Sequence, residues 1–270
     1  MKINFLGAGN LAEAIIRALA GKADTNGISG ISVFDRNPEQ YKRYDGLDVA
    51  CARSLKDILA GEIIFLMVKP DDFPGLLGEI KDLNMDLTQK IFVSTAASVS
   101  TGFIREKTGQ DIAVVRTMPN TPVWTGKGMT ALCGNARVSA AAFETVCGIF
   151  KSVGEIIILP EERMNDIIAV NGSSPAYIYL FAEAMLKGAA ELGFDEREIY
   201  PAVLQSLAGS LDMLVNSGKT PGELIKAVAS PNGTTEKALE SFYSDDFTGI
   251  IKKAMIACAG RAGEIAREFS

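Results

Sequence analysis

A short run, Ile3-Asn4-Phe5-Leu6, leads straight into Gly7-Ala8-Gly9-Asn10-Leu11-Ala12. Apolar residues then recur at Leu11, Ala14, Ile15, Ala18 and Leu19, the i, i+3, i+4 spacing of one helix face. A strand, a tight Gly-rich turn and a helix, in that order, are the opening of a βαβ unit. Gly7 permits the turn, Gly9 lets the backbone approach a pyrophosphate, and Ala12 takes the close-packing third position. The helix then aims its first N–H groups and positive dipole end at the phosphates. Gly7, Ala8, Gly9, Asn10 and Leu11 are therefore candidate dinucleotide contacts.

The rest of the first half repeats this alternation. Strands are expected at Ile31–Phe34, Ile63–Val68, Ile91–Ser94, Ala113–Arg116 and Met129–Cys133, with helical stretches between them such as 139–152, capped by Ser139. Strands alternating with helices predict a doubly wound, mostly parallel sheet over residues 1–160. Beyond Pro160 the strand signals stop. Helices are expected at 176–192, 199–215, 221–228, 235–242 and 247–268, so residues 161–270 read as an all-α domain. The stretch Tyr179-Leu180-Phe181-Ala182-Glu183-Ala184-Met185 is apolar almost all round. Helices with that much apolar surface call for cover from a second copy, which predicts a homodimer through this domain.

Composition narrows the function. The 270 residues are 47% hydrophobic with a net charge of −6, and Lys and Arg are scattered. Such a chain has no electrostatic footprint for nucleic acid. No apolar run reaches the ~20 residues of a membrane span, and nothing before the Gly-rich turn has the layout of a signal peptide, so the expected setting is cytoplasmic. The four cysteines form no CxxC pair and match no zinc spacing, so they are expected to be reduced and mostly buried, with no metal. Histidine is absent. The usual acid–base group near neutral pH is therefore missing, and the chemistry must manage its protons another way.

Other candidate site residues stand at strand ends, where ligands bind in such sheets. Asp35-Arg36 follows the second strand. An acid there suits the ribose 2′-hydroxyl of NAD and an Arg the 2′-phosphate of NADP, so both cofactors stay open. Ser54 joins the candidate cofactor contacts. Val68-Lys69-Pro70 and the small residues Ala96 and Ala97 end two further strands. Arg116-Thr117-Met118-Pro119-Asn120-Thr121-Pro122 holds Asn120 between two prolines in a stiff, extended segment. Gly172-Ser173-Ser174-Pro175-Ala176-Tyr177 opens the first long helix of the second half. Ser230-Pro231-Asn232-Gly233-Thr234-Thr235 runs into a helix at Glu236, offering hydroxyls and free N–H groups suited to a carboxylate.

Taken together, these motifs resemble the Δ1-pyrroline-5-carboxylate reductase family across nearly the whole chain. The R-T-M-P-N-T-P and S-P-N-G-T-T segments are the specific ones, whereas the Gly-rich turn is shared with many dehydrogenases. The resemblance implies a Rossmann domain binding NADPH, with NADH as the alternative, followed by a helical dimerisation domain. It implies reduction of the cyclic imine 1-pyrroline-5-carboxylate to L-proline by hydride transfer, the last step of proline biosynthesis, in a homodimer, and leaves open whether such dimers assemble into a larger ring. It also implies that Ser230, Asn232, Gly233, Thr234 and Thr235 bind the substrate carboxylate, with Thr235 near the ring nitrogen as the catalytic group. Two positions depart from the family pattern: Asn232-Gly233 stands where Gly-Gly is common, and Asp35-Arg36 where a Ser/Asn-Arg pair is.

Two other readings compete. A β-hydroxyacid reductase of similar build needs a catalytic lysine in the long helix, for which Lys187 is the nearest candidate. A dinucleotide sensor without activity needs no carboxylate-binding loop, and the Ser230–Thr235 segment speaks against it.

Overall fold

A computed structural model describes residues 1–20 and 27–269. The chain divides into two compact units, Met1–Ser173 with Cys258–Ser270, and Ser174–Ala257.

The first unit is built on an eight-stranded sheet. Its strands in chain order are β1 (Lys2–Leu6), β2 (Gly30–Phe34), β3 (Ala50–Cys51), β4 (Ile63–Leu66), β5 (Ile91–Ser94), β6 (Ala113–Met118), β7 (Gly128–Gly134) and β8 (Gly154–Ile158). They lie in the order β3-β2-β1-β4-β5-β6-β7-β8. Every pairing is parallel except β6–β7. The central strands are apolar because both their faces are covered. All four residues of β4 are buried, and Phe65 stacks on Phe5 at 4.6 Å between ring centroids. Burying one such ring is worth about 1.5–3 kcal/mol.

Among the described residues the sheet is accompanied by α1 (Asn10–Ala20), α2 (Leu55–Ile58), α3 (Phe73–Asp82), α4 (Thr101–Thr108) and α5 (Ala140–Lys151). Ser139 caps α5 as expected, its side chain accepting the Ala142 N–H. Residues 161–173 stay with the sheet. Glu161 accepts the Thr101 N–H and hydroxyl at 2.7 and 2.6 Å, and buried Arg116 donates to Asn165 at 2.6 Å. The C-terminal segment stays there too, through Phe103 edge-on to Phe269 and a Ser98–Ala262 hydrogen bond.

The second unit is helical: α6 (Ser174–Glu191), α7 (Glu196–Asn216), α8 (Pro221–Val228), α9 (Thr234–Ser244) and the start of α10 (Phe247–Glu268). In the single chain its apolar surface is largely open. No α6 residue is buried, and Tyr179, Leu180 and Ile256 are all more than three-fifths exposed.

Three expectations need correction. The strand read as 63–68 ends at Leu66, although Met67 still donates its N–H to the Leu6 carbonyl at 2.7 Å. Pro175 is the second helical residue of α6, which begins at Ser174 after a π-helical turn, Ile168–Gly172. Of the free cysteines, Cys133 and Cys147 are buried and Cys258 half-buried, but Cys51 is exposed on the short strand β3.

Candidate active site

The strand order reverses about β1 and β4, and in such sheets the crevice at that switch point takes the ligand. Pairing of Leu6 with both Phe34 and Leu66 brings three strand ends level. A cleft of about 410 Å³ opens beyond them. Of the expected cofactor residues, Gly7, Gly9, Asp35, Arg36, Val68 and Lys69 line it.

The turn itself shows why glycine is needed. Gly7 has φ +104°, and a Cβ there would lie 2.5 Å from the Met67 carbonyl oxygen. A side chain would separate β1 from β4 at the point where the cleft forms. A Cβ on Gly9 would meet nothing within 4 Å, so the backbone leaves open space on that side. The turn and the exposed start of α1 therefore fit a pyrophosphate.

A polar network holds the turn. Ala8 donates its N–H to Asp35 Oδ2 at 2.8 Å, and the Tyr44 hydroxyl donates to the Ala8 carbonyl at 3.1 Å. Burial, and next the charge of Glu13, push the Tyr44 phenol far up, so it stays a donor. On α1, Glu13 is buried yet ionised. Burial drives its carboxyl upward, but hydrogen bonds and charge from Arg43 and Arg17 outweigh this and leave it below its ordinary value. Arg43 reaches Glu13 at 2.9 Å and the Asn10 side chain at 2.8 Å, tying the start of α1 to the segment after β2.

The other expected cofactor residues stand outside the cleft lining. Ala8 and Ala96 are buried. Asn10 and Leu11 open α1, and Pro70 opens a single 3-10 turn. Ser54 caps α2, accepting the Asp57 N–H at 3.2 Å. Ala97 follows β5, and Asn120 follows β6. The Asn120 side chain accepts from Met129 N–H at 2.9 Å and donates to the Asn171 carbonyl at 3.3 Å. Asn171 in turn donates to the Met118 carbonyl at 2.8 Å, so the residue just before Gly172 is fastened to the R-T-M-P-N-T-P segment. Arg116, first residue of its motif, is 4% exposed and sits beside Cys133, whose thiol is raised to about 11 by burial and then by Glu161.

In the second unit, Ser230–Thr235 forms the entry to α9. Asn232 takes a left-handed φ of +57° and donates its N–H to Glu236 at 2.6 Å. Gly233 donates to the Ser230 carbonyl at 3.0 Å, and a Cβ on it would strike the Ser230 hydroxyl at 2.5 Å. Gly233 is the N-cap but supplies no side-chain acceptor, so the first N–H groups of α9 stay available to an anion. Lys187 is exposed and paired with Glu183 at 2.6 Å, an ordinary i,i+4 surface pair.

Comparison with known proteins decides the family. Residues 161–265 match the family described as pyrroline-5-carboxylate reductase dimerisation, and residues 2–98 the one described as NADP oxidoreductase coenzyme F420-dependent. Pyrroline-5-carboxylate reductase of Escherichia coli (strain K12) is 32% identical over 270 residues, covering 98% of each chain. The chain belongs to the pyrroline-5-carboxylate reductase family. The relative from Pseudomonas aeruginosa is likewise 32% identical, over 99% of this chain and 98% of its own.

Solved members of the family share the fold. The Coxiella burnetii pyrroline-5-carboxylate reductase superposes with a TM-score of 0.86 at 29% identity, over 97% of both chains. The Plasmodium falciparum pyrroline carboxylate reductase, solved with NADP bound, gives 0.87 at 26% identity over 98% of both. The expected fold class, a mostly parallel Rossmann sheet followed by a helical dimerisation domain of this family, is thus shown.

Sequence reading missed the cleft's outer wall. Gln40, Leu55, Asp72, Leu76 and Glu79 also line it. Glu79 lies on α3 and pairs with Arg36, 43 residues earlier. No local pattern links two residues so far apart. The Arg43–Glu13 pair was equally silent.

Proposed function

We propose that this chain reduces 1-pyrroline-5-carboxylate to L-proline by hydride transfer from NADPH, with NADH as the alternative donor, as the last step of proline biosynthesis in the cytoplasm. The observation that carries the reading is the Ser230–Thr235 loop. It presents uncapped N–H groups at the start of an eleven-residue helix, as a substrate carboxylate requires. Membership of the family and the resemblance of the R-T-M-P-N-T-P segment support it.

In this reading residues 1–160 bind the dinucleotide, and residues 161–270 dimerise and hold the substrate. Gly7 to Leu11 and the α1 N-terminus receive the pyrophosphate, and the open side of Gly9 leaves room for it. Ser54, Val68, Lys69 and Pro70, with Ala96, Ala97 and Asn120 farther along the same sheet edge, complete the contacts. The bound reduced nicotinamide supplies the hydride. Ser230, Asn232, Gly233 and Thr234 hold the carboxylate, and the Thr235 hydroxyl bonds the ring nitrogen. The chain has no histidine to act as acid, and this reaction does not demand one. An iminium substrate arrives carrying its proton, so the protein orients the ring and stabilises its nitrogen.

The open apolar surface of the second unit supports a homodimer through that domain. A ring of such dimers is the larger alternative. Light scattering on the purified protein reads its mass, and the mass of a single chain would overturn the dimer. The reaction is tested by steady-state reduction of pyrroline-5-carboxylate with NADPH and NADH in parallel. Absence of turnover with both donors would overturn it.

A further inference from the structure

The cleft's outer end, past β2, holds charges that oppose one another. Asp35 is committed to the backbone. Its two carboxylate oxygens accept the Ala8 and Asn37 N–H groups, both at 2.8 Å. That leaves Arg36 as the residue at this strand end able to recognise an anion. Its guanidinium donates to the Glu79 carboxylate, and both residues line the cleft. Helix α3 carries Glu79 at a fixed place, because Phe73, Leu77 and Ile80 are fully buried beneath it.

The pair is exposed, 64% for Arg36 and 55% for Glu79, so it opens at small cost. An incoming 2′-phosphate must take the guanidinium from Glu79 and sit near its carboxylate. A 2′-hydroxyl displaces nothing. We infer that Glu79 is a specificity-determining residue for the dinucleotide: it competes with the 2′-phosphate for Arg36 and lowers the preference for NADPH over NADH. The inference rests on the dinucleotide reading of the cleft given above.

Calorimetric titration with adenosine 2′,5′-bisphosphate and with 5′-AMP tests it, beside steady-state KM values for both cofactors. Glu79→Gln is expected to tighten the bisphosphate roughly two- to fivefold and to lower KM for NADPH alike, the scale of one exposed ion pair. 5′-AMP and NADH stay unchanged. Arg36→Gln is expected to weaken the bisphosphate about tenfold, as loss of a charged hydrogen bond does, and to spare 5′-AMP. Equal bisphosphate affinity in the wild type and Glu79→Gln, or an equal change for both nucleotides, overturns the inference. So does failure of both nucleotides to bind. Absence of imine turnover removes the proposed reaction, while the titrations still decide the role of Glu79.

Discussion

Asp35 at the end of β2 accepts the N–H of Ala8, in the turn after β1, at 2.8 Å. One carboxylate thus fastens together two of the loops that border the cleft. Asp35→Ala leaves the buried Ala8 amide without its acceptor, at a cost of about 1–3 kcal/mol. The urea midpoint is expected to fall and KM for the dinucleotide to rise. Asp35→Asn keeps an acceptor oxygen and loses less. Unchanged stability in Asp35→Ala would show that the bond carries no weight.

Glu13 gives stability a defined pH dependence. Burial pushes its folded carboxyl up, but hydrogen bonds and charge from Arg43 and Arg17 outweigh this and hold it below the ordinary glutamate value. A group depressed in the folded state contributes stability above its unfolded pKa and loses it as pH falls through the folded one. Acid should therefore remove this contribution below about pH 4.5. Glu13→Gln is expected to be less stable than the wild type at pH 7, with the gap closing towards pH 3. Denaturant melts across that range check it, and a constant gap contradicts it.

Asn232 holds a backbone conformation that glycine adopts freely, φ +57°. Asn tolerates it better than most residues, and a β-branched one does not. Asn232→Gly is expected to leave substrate KM near the wild-type value. Asn232→Val should strain the loop by about 1–3 kcal/mol and raise substrate KM without changing that of the dinucleotide. Equal kinetics for the two variants would mean that this conformation does not matter for binding.

What the sequence revealed followed from burial. β4 and β5 read as apolar runs because a parallel strand covered on both faces has no polar side to show. β3 escaped notice because two residues, Ala50 and Cys51, carry no period. The direction of β7 leaves no mark either, since side chains alternate alike in both senses. The Gly7 turn and the Ser230–Thr235 loop were legible because each is a local unit whose residues act together. Glu79 was not, because it meets Arg36 only after α3 folds against the sheet. The apolar stretch of α6 was visible as a pattern, yet none of its residues is buried in the single chain.

Thr235 is the sharpest test of the chemistry. It is the second residue of α9, half-buried, and its hydroxyl makes no hydrogen bond within the chain among the described residues. Removing it therefore breaks no internal contact, and Thr235→Ala should melt close to the wild type. If the hydroxyl bonds the ring nitrogen as hydride arrives, kcat falls about ten- to a hundredfold, the scale of one hydrogen bond to a charged group. KM for the dinucleotide stays put. Thr235→Ser keeps the hydroxyl and should recover most of the rate. A Thr235→Ala chain with wild-type kcat/KM would remove Thr235 from the mechanism and leave proton and orientation to the substrate and the loop backbone alone.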